Sequence, residues 1–405
     1  MFKAHKIKLY PTKNQETFFR KSAGVARFAH NWALERWQGD YKNGIKQSGY
    51  DLRKKLNAIK RSEFPWMYEV GKCAADYGVL NVEVAYKKMW KEKAGYPKFK
   101  KKGGKDSFVS NQADTFKQKD SKIWISRLGW VKCAENLRFE GKVNSVTISR
   151  KATTWFAAIN IETPESIPTL KPAVGENQAI VGIDLGIKTM MTLSDGTTFE
   201  NPKALKRSMR RLKILSRRHS KKQKDGSNRR RALMILAKEH YKVSCIRSTA
   251  IHQMTASIFN KYDKIVIEDL DAVSMYKHKG LSKQLADVSF GEIKRQLKYK
   301  AEWRGKEFIL ADKYFPSSKT CSSCGAIKEK LKLSERTYKC ETCGLSMDRD
   351  LNAARNLAVY SPTAKYAESH ASGAVTEALL AGNTVAMNEE SRNVILEINE
   401  AIKDL

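Results

Sequence analysis

The sequence predicts a multidomain chain of mixed α+β and α/β class: a helical module, a small β-barrel and an α/β domain interrupted by a zinc ribbon. Three observations carry this. The 405 residues exceed what one small core needs, and 41% hydrophobic content fits folded protein. Hydrophobic periodicity changes along the chain from helical spacing to short alternating runs, then to apolar strands separated by long helical stretches. Four of the seven cysteines fall in two tight pairs, a metal pattern in a reducing compartment rather than a disulfide framework. Cys73, Cys133 and Cys245 stand singly and fit small core residues.

Taken in order, Lys6-Ile7-Lys8-Leu9-Tyr10 alternates and predicts a half-buried strand over residues 5–11, stopped by Pro11. Phe18, Val25, Ala29, Trp32 and Trp37 then recur at near-helical spacing behind Thr12, a candidate N-cap. Helical pattern returns over residues 50–61 and 77–90. The stretch 95–105 mixes cations with aromatics. Tyr96, Lys98, Phe99 and Lys100 suit a surface that tracks a nucleic-acid backbone and stacks bases, a solvated linker being the alternative. Short alternating runs over residues 106–165, such as Lys122-Ile123-Trp124-Ile125, predict the small β-barrel, with a boundary at 164–175. From Ala179 the pattern is α/β: an apolar strand, a hairpin turn at Ser194-Asp195-Gly196, two long helical stretches, and a second apolar strand over 264–270. Residues 202–231 carry fourteen Lys or Arg against one acid, Asp225. Leu205, Met209, Leu212 and Leu215 mark the face toward a core; the opposite face, with Arg210, Arg211, Arg217 and Arg218, is either a phosphate track or a solvated basic surface. The last twenty residues reverse sign, so 381–405 is expected to be an acidic C-terminal tail.

Lys and Arg number 76 against 43 Asp and Glu, a formal charge of +33. Such a surface requires a polyanion. No apolar run is long enough to span a bilayer, and residues 1–10 form no signal segment. Phosphodiester backbone is the remaining partner, bound through counterion release. Neither a homeodomain nor tandem fingers are present to read a long site by side chains.

Three acids stand where chemistry is expected. Ile180-Val181-Gly182-Ile183-Asp184-Leu185-Gly186 ends a buried strand on one carboxylate beside glycines, which suggests close approach of a ligand backbone. Ile265-Val266-Ile267-Glu268 repeats the design, and parallel pairing of the two strands places Asp184 beside Glu268. Asp350 precedes a helix marked by Leu351, Ala354, Leu357 and Ala358. Carboxylates converging from several elements suit two Mg²⁺ ions about 4 Å apart. Between the second and third acids lie Cys321-Ser322-Ser323-Cys324-Gly325 and Cys340-Glu341-Thr342-Cys343-Gly344. Four thiolates at this spacing form a closed tetrahedral zinc site, structural and not catalytic.

Asp184, Glu268, the run Tyr314-Phe315-Pro316-Ser317-Ser318-Lys319-Thr320-Cys321, and Asp348-Arg349-Asp350-Leu351-Asn352-Ala353-Ala354 together resemble the TnpB proteins of bacterial insertion sequences, compact relatives of the type V CRISPR nucleases. Residues 179–360 carry the resemblance closely; Tyr10-Pro11 and Ala26-Arg27-Phe28-Ala29-His30-Asn31 extend it toward the amino terminus. It implies an RNase-H-like (RuvC) catalytic domain over 176–316 and 347–380, split by the zinc ribbon at 317–346. A wedge β-barrel, 1–11 with 106–175, would hold the helical recognition module, 12–105, as an insertion. The implied activity is RNA-guided DNA cleavage: recognition of a short transposon-adjacent motif, opening of the duplex, and cutting of both strands. Asp184, Glu268 and Asp350 would hold two catalytic Mg²⁺ ions, the four cysteines one structural Zn²⁺, and Asp348 would be a cap or a supporting group. The implied partners are a guide RNA from the chain's own locus, one chain per RNA, and double-stranded DNA, in a bacterial or archaeal cytoplasm at the nucleoid. Lys72, Asp76 and Tyr77, on the helix nearest the barrel, are candidates for reading the adjacent motif, a solvated helix face being the alternative.

Two other functions remain at this point. An RNA-guided repressor that does not cut should lack a metal ligand, whereas all three acids are present. A strand-joining transposase could use the same carboxylates; transposases of the neighbouring single-strand type use a tyrosine with a close histidine pair, and His5, His30, His219, His240, His252, His278 and His370 are all isolated.

Overall fold

Residues 1–361 are described by a computed structural model, apart from 93, 104, 113–115, 165–178, 271–274, 276–279, 281 and 333. Most of the expected boundary at 164–175, residues 362–380, the acidic tail, His278 and His370 lie outside the described residues. The chain divides into two units, Met1–Ser166 and Ile167–Leu405.

In the first unit, alternation sets the opening strand. β1 (Phe2–Tyr10) buries His5, Ile7 and Leu9 and turns the residues between them outward. It begins three residues earlier than the sequence pattern suggested, because Phe2 to Leu9 pair antiparallel with a later strand. Thr12 then opens α1 (Lys13–Lys42) with a capping box, its hydroxyl accepting from the Gln15 amide while the Gln15 side chain accepts from the Thr12 amide. α2 (Gly49–Glu63) and α3 (Lys72–Glu92) follow. A Cβ at Gly78 would lie 2.7 Å from the Ala26 carbonyl, so α1 and α3 touch almost backbone to backbone. Beyond them come β2 (Ser107–Gln112), β3 (Gln118–Lys119), β4 (Lys122–Ile125), β5 (Gly129–Cys133), β6 (Lys142–Lys151) and β7 (Thr154–Glu162).

These strands form one seven-stranded sheet in the order β2-β6-β7-β1-β5-β4-β3. The expected closed barrel is therefore corrected: among the described residues, no pairing of β2 with β3 closes the sheet. Its inner face is filled by a helix instead. Phe19 of α1 packs against Phe108 and Trp155, with ring centroids 5.9 and 5.1 Å away.

The second unit is built on β8 (Ile180–Leu185), β9 (Thr189–Leu193), β10 (Thr198–Glu200), β11 (Lys264–Glu268) and β12 (Glu307–Ala311), ordered β10-β9-β8-β11-β12. The first three strands form an antiparallel meander, turning at Ser194-Asp195-Gly196 as the sequence suggested; β11 and β12 join in parallel. The basic hairpin of α4 (Ala204–Ser220) and α5 (Ser227–Lys261) lies between β10 and β11 in sequence, followed by α6 (Ser282–Val288) and α7 (Phe290–Arg304). Lys203, at the start of α4, offers no side-chain cap. Buried Asp287 of α6 supplies one, accepting from the Leu205 and Lys206 amides at 2.9 and 3.1 Å.

Strand alternation divides the sheet's two faces. Val181, Ile183, Ile265 and Ile267 join the core with α5 and α7, whereas Val266 and Ala311 pack with Leu357 and Tyr360. Leu357 belongs to α8 (Arg349–Ala358), which lies directly on β8. A Cβ at Gly182 would meet the Ala354 carbonyl at 2.0 Å and the Ala358 amide nitrogen at 2.3 Å. This corrects the sequence reading of the glycine: it admits the protein's own helix, not a ligand. Gly186 is likewise used internally, close to the Thr189 carbonyl at the β8–β9 turn.

Gly182→Ala should lower unfolding stability by roughly 3 kcal/mol, at the upper end of overpacking costs, while Gly95→Ala, with nothing within 4 Å, should change it little. Denaturant titration of the two variants checks this; an unchanged midpoint for Gly182→Ala contradicts the close approach.

Candidate active site and metal centre

Asp184 and Glu268 are brought together by register. β8 and β11 pair in parallel with Ile183 opposite Ile267, so the next residues, the two acids, leave the sheet side by side. By alternation Asp184 shares its face with Gly182, and Glu268 with Val266. That is the face α8 covers. Because Ala354 and Ala358 of α8 rest on Gly182, the start of the helix reaches the carboxyl end of β8 and carries Asp350 to the same place. The helix begins at Arg349, two residues earlier than expected, so Asp350 lies inside its first turn. Asp348 is the N-cap, its Oδ1 accepting from the Asp350 and Leu351 amides at 2.9 and 3.0 Å.

The electrostatics follow from burial. Desolvation first, then the charges of Glu268 and Asp350, push the Asp184 carboxyl well above the usual carboxylate range, with Arg349 partly offsetting them. Glu268 is also raised, chiefly by burial and further by Asp350, against a lowering hydrogen bond from Ser317. Acids that repel one another in a dry place fit a divalent cation, whose charge reverses both penalties. Their oxygens do not converge on one point: among the described residues the cysteine sulfurs are the one set of three or more candidate ligands lying within 4.8 Å of one another.

Sequence reasoning missed the groups that hold Glu268. The buried Ser317 hydroxyl donates to Glu268 Oε1, and Asn356 Nδ2 of α8 donates to the Ser317 carbonyl at 2.7 Å. Asn352 completes the frame: its Nδ2 donates to the Thr320 carbonyl at 2.7 Å, and its Oδ1 accepts from the Ser322 amide at 3.0 Å. Two asparagines four residues apart among the alanines and leucine of the helix's buried face were the available signal, since asparagine is a poor helix former.

The cysteines form a crossed set. Cys321 Sγ lies 3.6 Å from Cys343 Sγ, and Cys324 Sγ 3.6 Å from Cys340 Sγ. Tetrahedral zinc with Zn–S near 2.3 Å requires S···S edges of about 3.8 Å, so the four thiols fit that ion. Each pair closes in a knuckle, with Gly325 and Gly344 at φ of +76° and +73° and their amides donating to the Cys321 and Cys340 carbonyls. β13 (Thr337–Lys339) and β14 (Ser346–Asp348) complete the ribbon around fully buried Tyr338.

The expected nucleic-acid contacts are dispersed. Arg210, Arg211, Arg217 and Arg218 are exposed on α4, but Arg211 is engaged by Glu239 of α5 at 3.1 Å. On the first unit, Lys72 is exposed and Asp76 and Tyr77 half-buried, and α3 starts at Lys72, earlier than the periodicity indicated. Tyr96 packs edge-on against Tyr86. Lys98 and Phe99 project outward, and the Lys100 backbone is pinned to Asn31.

Three family descriptions match this chain: "Helix-turn-helix domain" over residues 1–46, "Probable transposase" over 158–279 and "Cas12f1-like, TNB domain" over 290–357. Here residues 1–46 form β1 and the single long helix α1. The chain is 30% identical over 371 residues, 87% of its length and 91% of the relative's, to "Putative RNA-guided DNA endonuclease InsQ" of Escherichia coli K12. It is 29% identical over 364 residues, 88% of each, to "Putative RNA-guided DNA endonuclease" of Streptomyces pristinaespiralis. A structure titled "Cryo-EM structure of the Cas12f1-sgRNA-target DNA complex" shares the fold, with TM-score 0.54 and 16% identity over 87% of this chain and 84% of that one.

Elemental analysis should find one zinc per chain, and Cys340→Ser should speed amide exchange over residues 321–343 while leaving β8 protected, because a ribbon with so small a core depends on its metal. A zinc-free chain with the ribbon still protected contradicts this.

Proposed function

Since the chain belongs to the TnpB family, we propose that it is an RNA-guided DNA endonuclease that recognises a short motif beside its target and cuts both strands at Asp184, Glu268 and Asp350. The observation that carries the reading is the placement of three acids from β8, β11 and α8 at one end of the sheet, where desolvation and the charge of Asp350 raise both the Asp184 and the Glu268 carboxyls, and Glu268 raises Asp184 further. Such an arrangement costs stability unless cations complete it. The sheet order supports an RNase-H-like (RuvC) catalytic domain, with an antiparallel meander followed by two parallel strands and a helix across the acidic ends. The first unit, a sheet beside three helices, is assigned to the wedge and recognition roles.

Asp184, Glu268 and Asp350 would hold two Mg²⁺ ions, which supply an activated water and charge stabilisation at the leaving oxygen. The protein's own work is positional. Ser317 fixes the rotamer of Glu268, and Asp348 fixes the first turn of α8 and with it Asp350. Guide RNA and target DNA are the polyanions that the charge of +33 requires, and delegating sequence to base pairing accounts for a chain without a base-reading array.

Asp184→Ala, Glu268→Ala and Asp350→Ala should each lower cleavage roughly a thousandfold or more, as losses of preorganised charge stabilisation do, while guided DNA binding stays within a few fold. Parallel cleavage and mobility-shift assays check the separation. If Asp350→Ala cuts normally and Asp348→Ala does not, the third ligand has been misassigned.

A further inference from the structure

On the first unit, α1 and the segment after α3 enclose a groove of about 470 Å³. This size falls within the range of small-molecule sites, roughly 300–1,000 Å³. Its floor is one face of α1, where Arg27, Phe28, Asn31, Trp32 and Glu35 recur at helical spacing, and its far wall is Phe99. The wall is fixed. Asn31 Nδ2 donates to the Lys100 carbonyl at 2.9 Å and Asn31 Oδ1 accepts from the Lys100 amide at 2.8 Å, so an otherwise extended segment is clamped to the helix one residue from Phe99. Phe99 nevertheless stays 49% exposed. An aromatic side chain carried on a clamped backbone yet left half exposed is placed to stack on something.

The polar lining narrows the choice. Arg27 is held by Asp106 at 3.7 Å, which orients it without enclosing it. Glu35, with a side chain 75% exposed, stands 4.0 Å from Arg36. Trp32 is already covered on one face by the Arg36 guanidinium, 3.9 Å from its centroid, and Phe28 already packs edge-to-face with Phe64 and Trp66 at 4.9 and 5.1 Å, leaving Phe99 as the open stacking surface. Outside the groove Lys98, Lys100, Lys101 and Lys102 are exposed, a setting for phosphate. The occupant must therefore be flat and aromatic, carry phosphate, offer donors to a carboxylate and acceptors to a guanidinium. Guanine has both edges: N1–H and N2–H₂ donate, while O6 and N7 accept from arginine.

We propose that this groove holds one unstacked guanine of the bound nucleic acid, stacked on Phe99 over the α1 floor, with Glu35 and Arg27 reading its two edges. The inference rests on the nucleic-acid-binding reading above but not on cleavage. It also gives the segment at 95–105 a specific task in place of a diffuse basic surface.

The test uses RNA-free full-length protein and short labelled strands: oligothymidylate with and without one central guanine, and the oligouridylate counterparts. Fluorescence anisotropy should show binding on the order of tenfold tighter for the guanine-bearing strand of at least one sugar type, the size of one stacked and edge-read base. The strand type that gains identifies the source, DNA or RNA. Glu35→Ala should erase most of the gain while leaving affinity for the plain strand within about twofold, and Phe99→Ala should erase the gain and weaken the plain strand as well, since any base can stack on that ring. Gly24→Leu provides a variant that keeps the fold, since a Cβ there meets nothing nearer than Arg27 Nη2 at 3.8 Å; it should plug the groove and erase the gain too. If the plain strands bind and guanine adds nothing, or if all three variants keep the gain, the pocket is overturned alone. If no strand binds at all, the nucleic-acid reading falls with it.

Discussion

Everything at the acidic site depends on how closely α8 lies on β8. Carboxylates do not come together by their own attraction, because desolvation and neighbouring charge both oppose it at Asp184 and Glu268. Something neutral has to hold them. Here it is a backbone-to-backbone contact at Gly182, backed by Val266, Ala311, Leu357 and Tyr360 on the same face of the sheet. The apolar packing fixes the distance between strand and helix, and the acids follow at the two ends. Removing the room at Gly182 would move Asp350 away from Asp184 without altering any acid.

The zinc ribbon is the second dependence. It enters the chain between β12 and α8, so it could disturb the site or support it. The hydrogen bonds favour support: Asn352 and Asn356 of α8 bind the backbone at Ser317, Thr320 and Ser322, and Ser317 binds Glu268. The cysteine cluster is thus tied to the orientation of a carboxylate through a short chain of polar contacts. Such networks rigidify only when every member is satisfied.

Much of this was legible in the sequence. The strand ending on Asp184, the strand ending on Glu268 and their parallel pairing came from apolar runs, and the cysteine ribbon from spacing alone. Thr12 as a cap was readable from its place before a periodic stretch. What could not be read was long-range. Gly182 looked like a ligand contact because sequence does not say which chain segment arrives at a glycine. Ser317, Asn352 and Asn356 looked like ordinary polar residues because their partners lie in other elements. The barrel was misjudged for the same reason: β-alternation reports which side faces inward, and not whether a neighbouring strand or a helix such as α1 covers it. Nor could the sequence show that Glu239 lies across the helix pair from Arg211.

The most direct measurement is cleavage by protein purified with its own RNA, in Mg²⁺, before and after only the terminal segment of that RNA is replaced. A guided nuclease built on these acids will move its cut to DNA matching the new segment beside the same short motif, and will stop cutting when the RNA is removed. A cut site that stays where it was, or one that survives RNase treatment, would mean that the protein itself reads the sequence and that a base-reading surface has been overlooked.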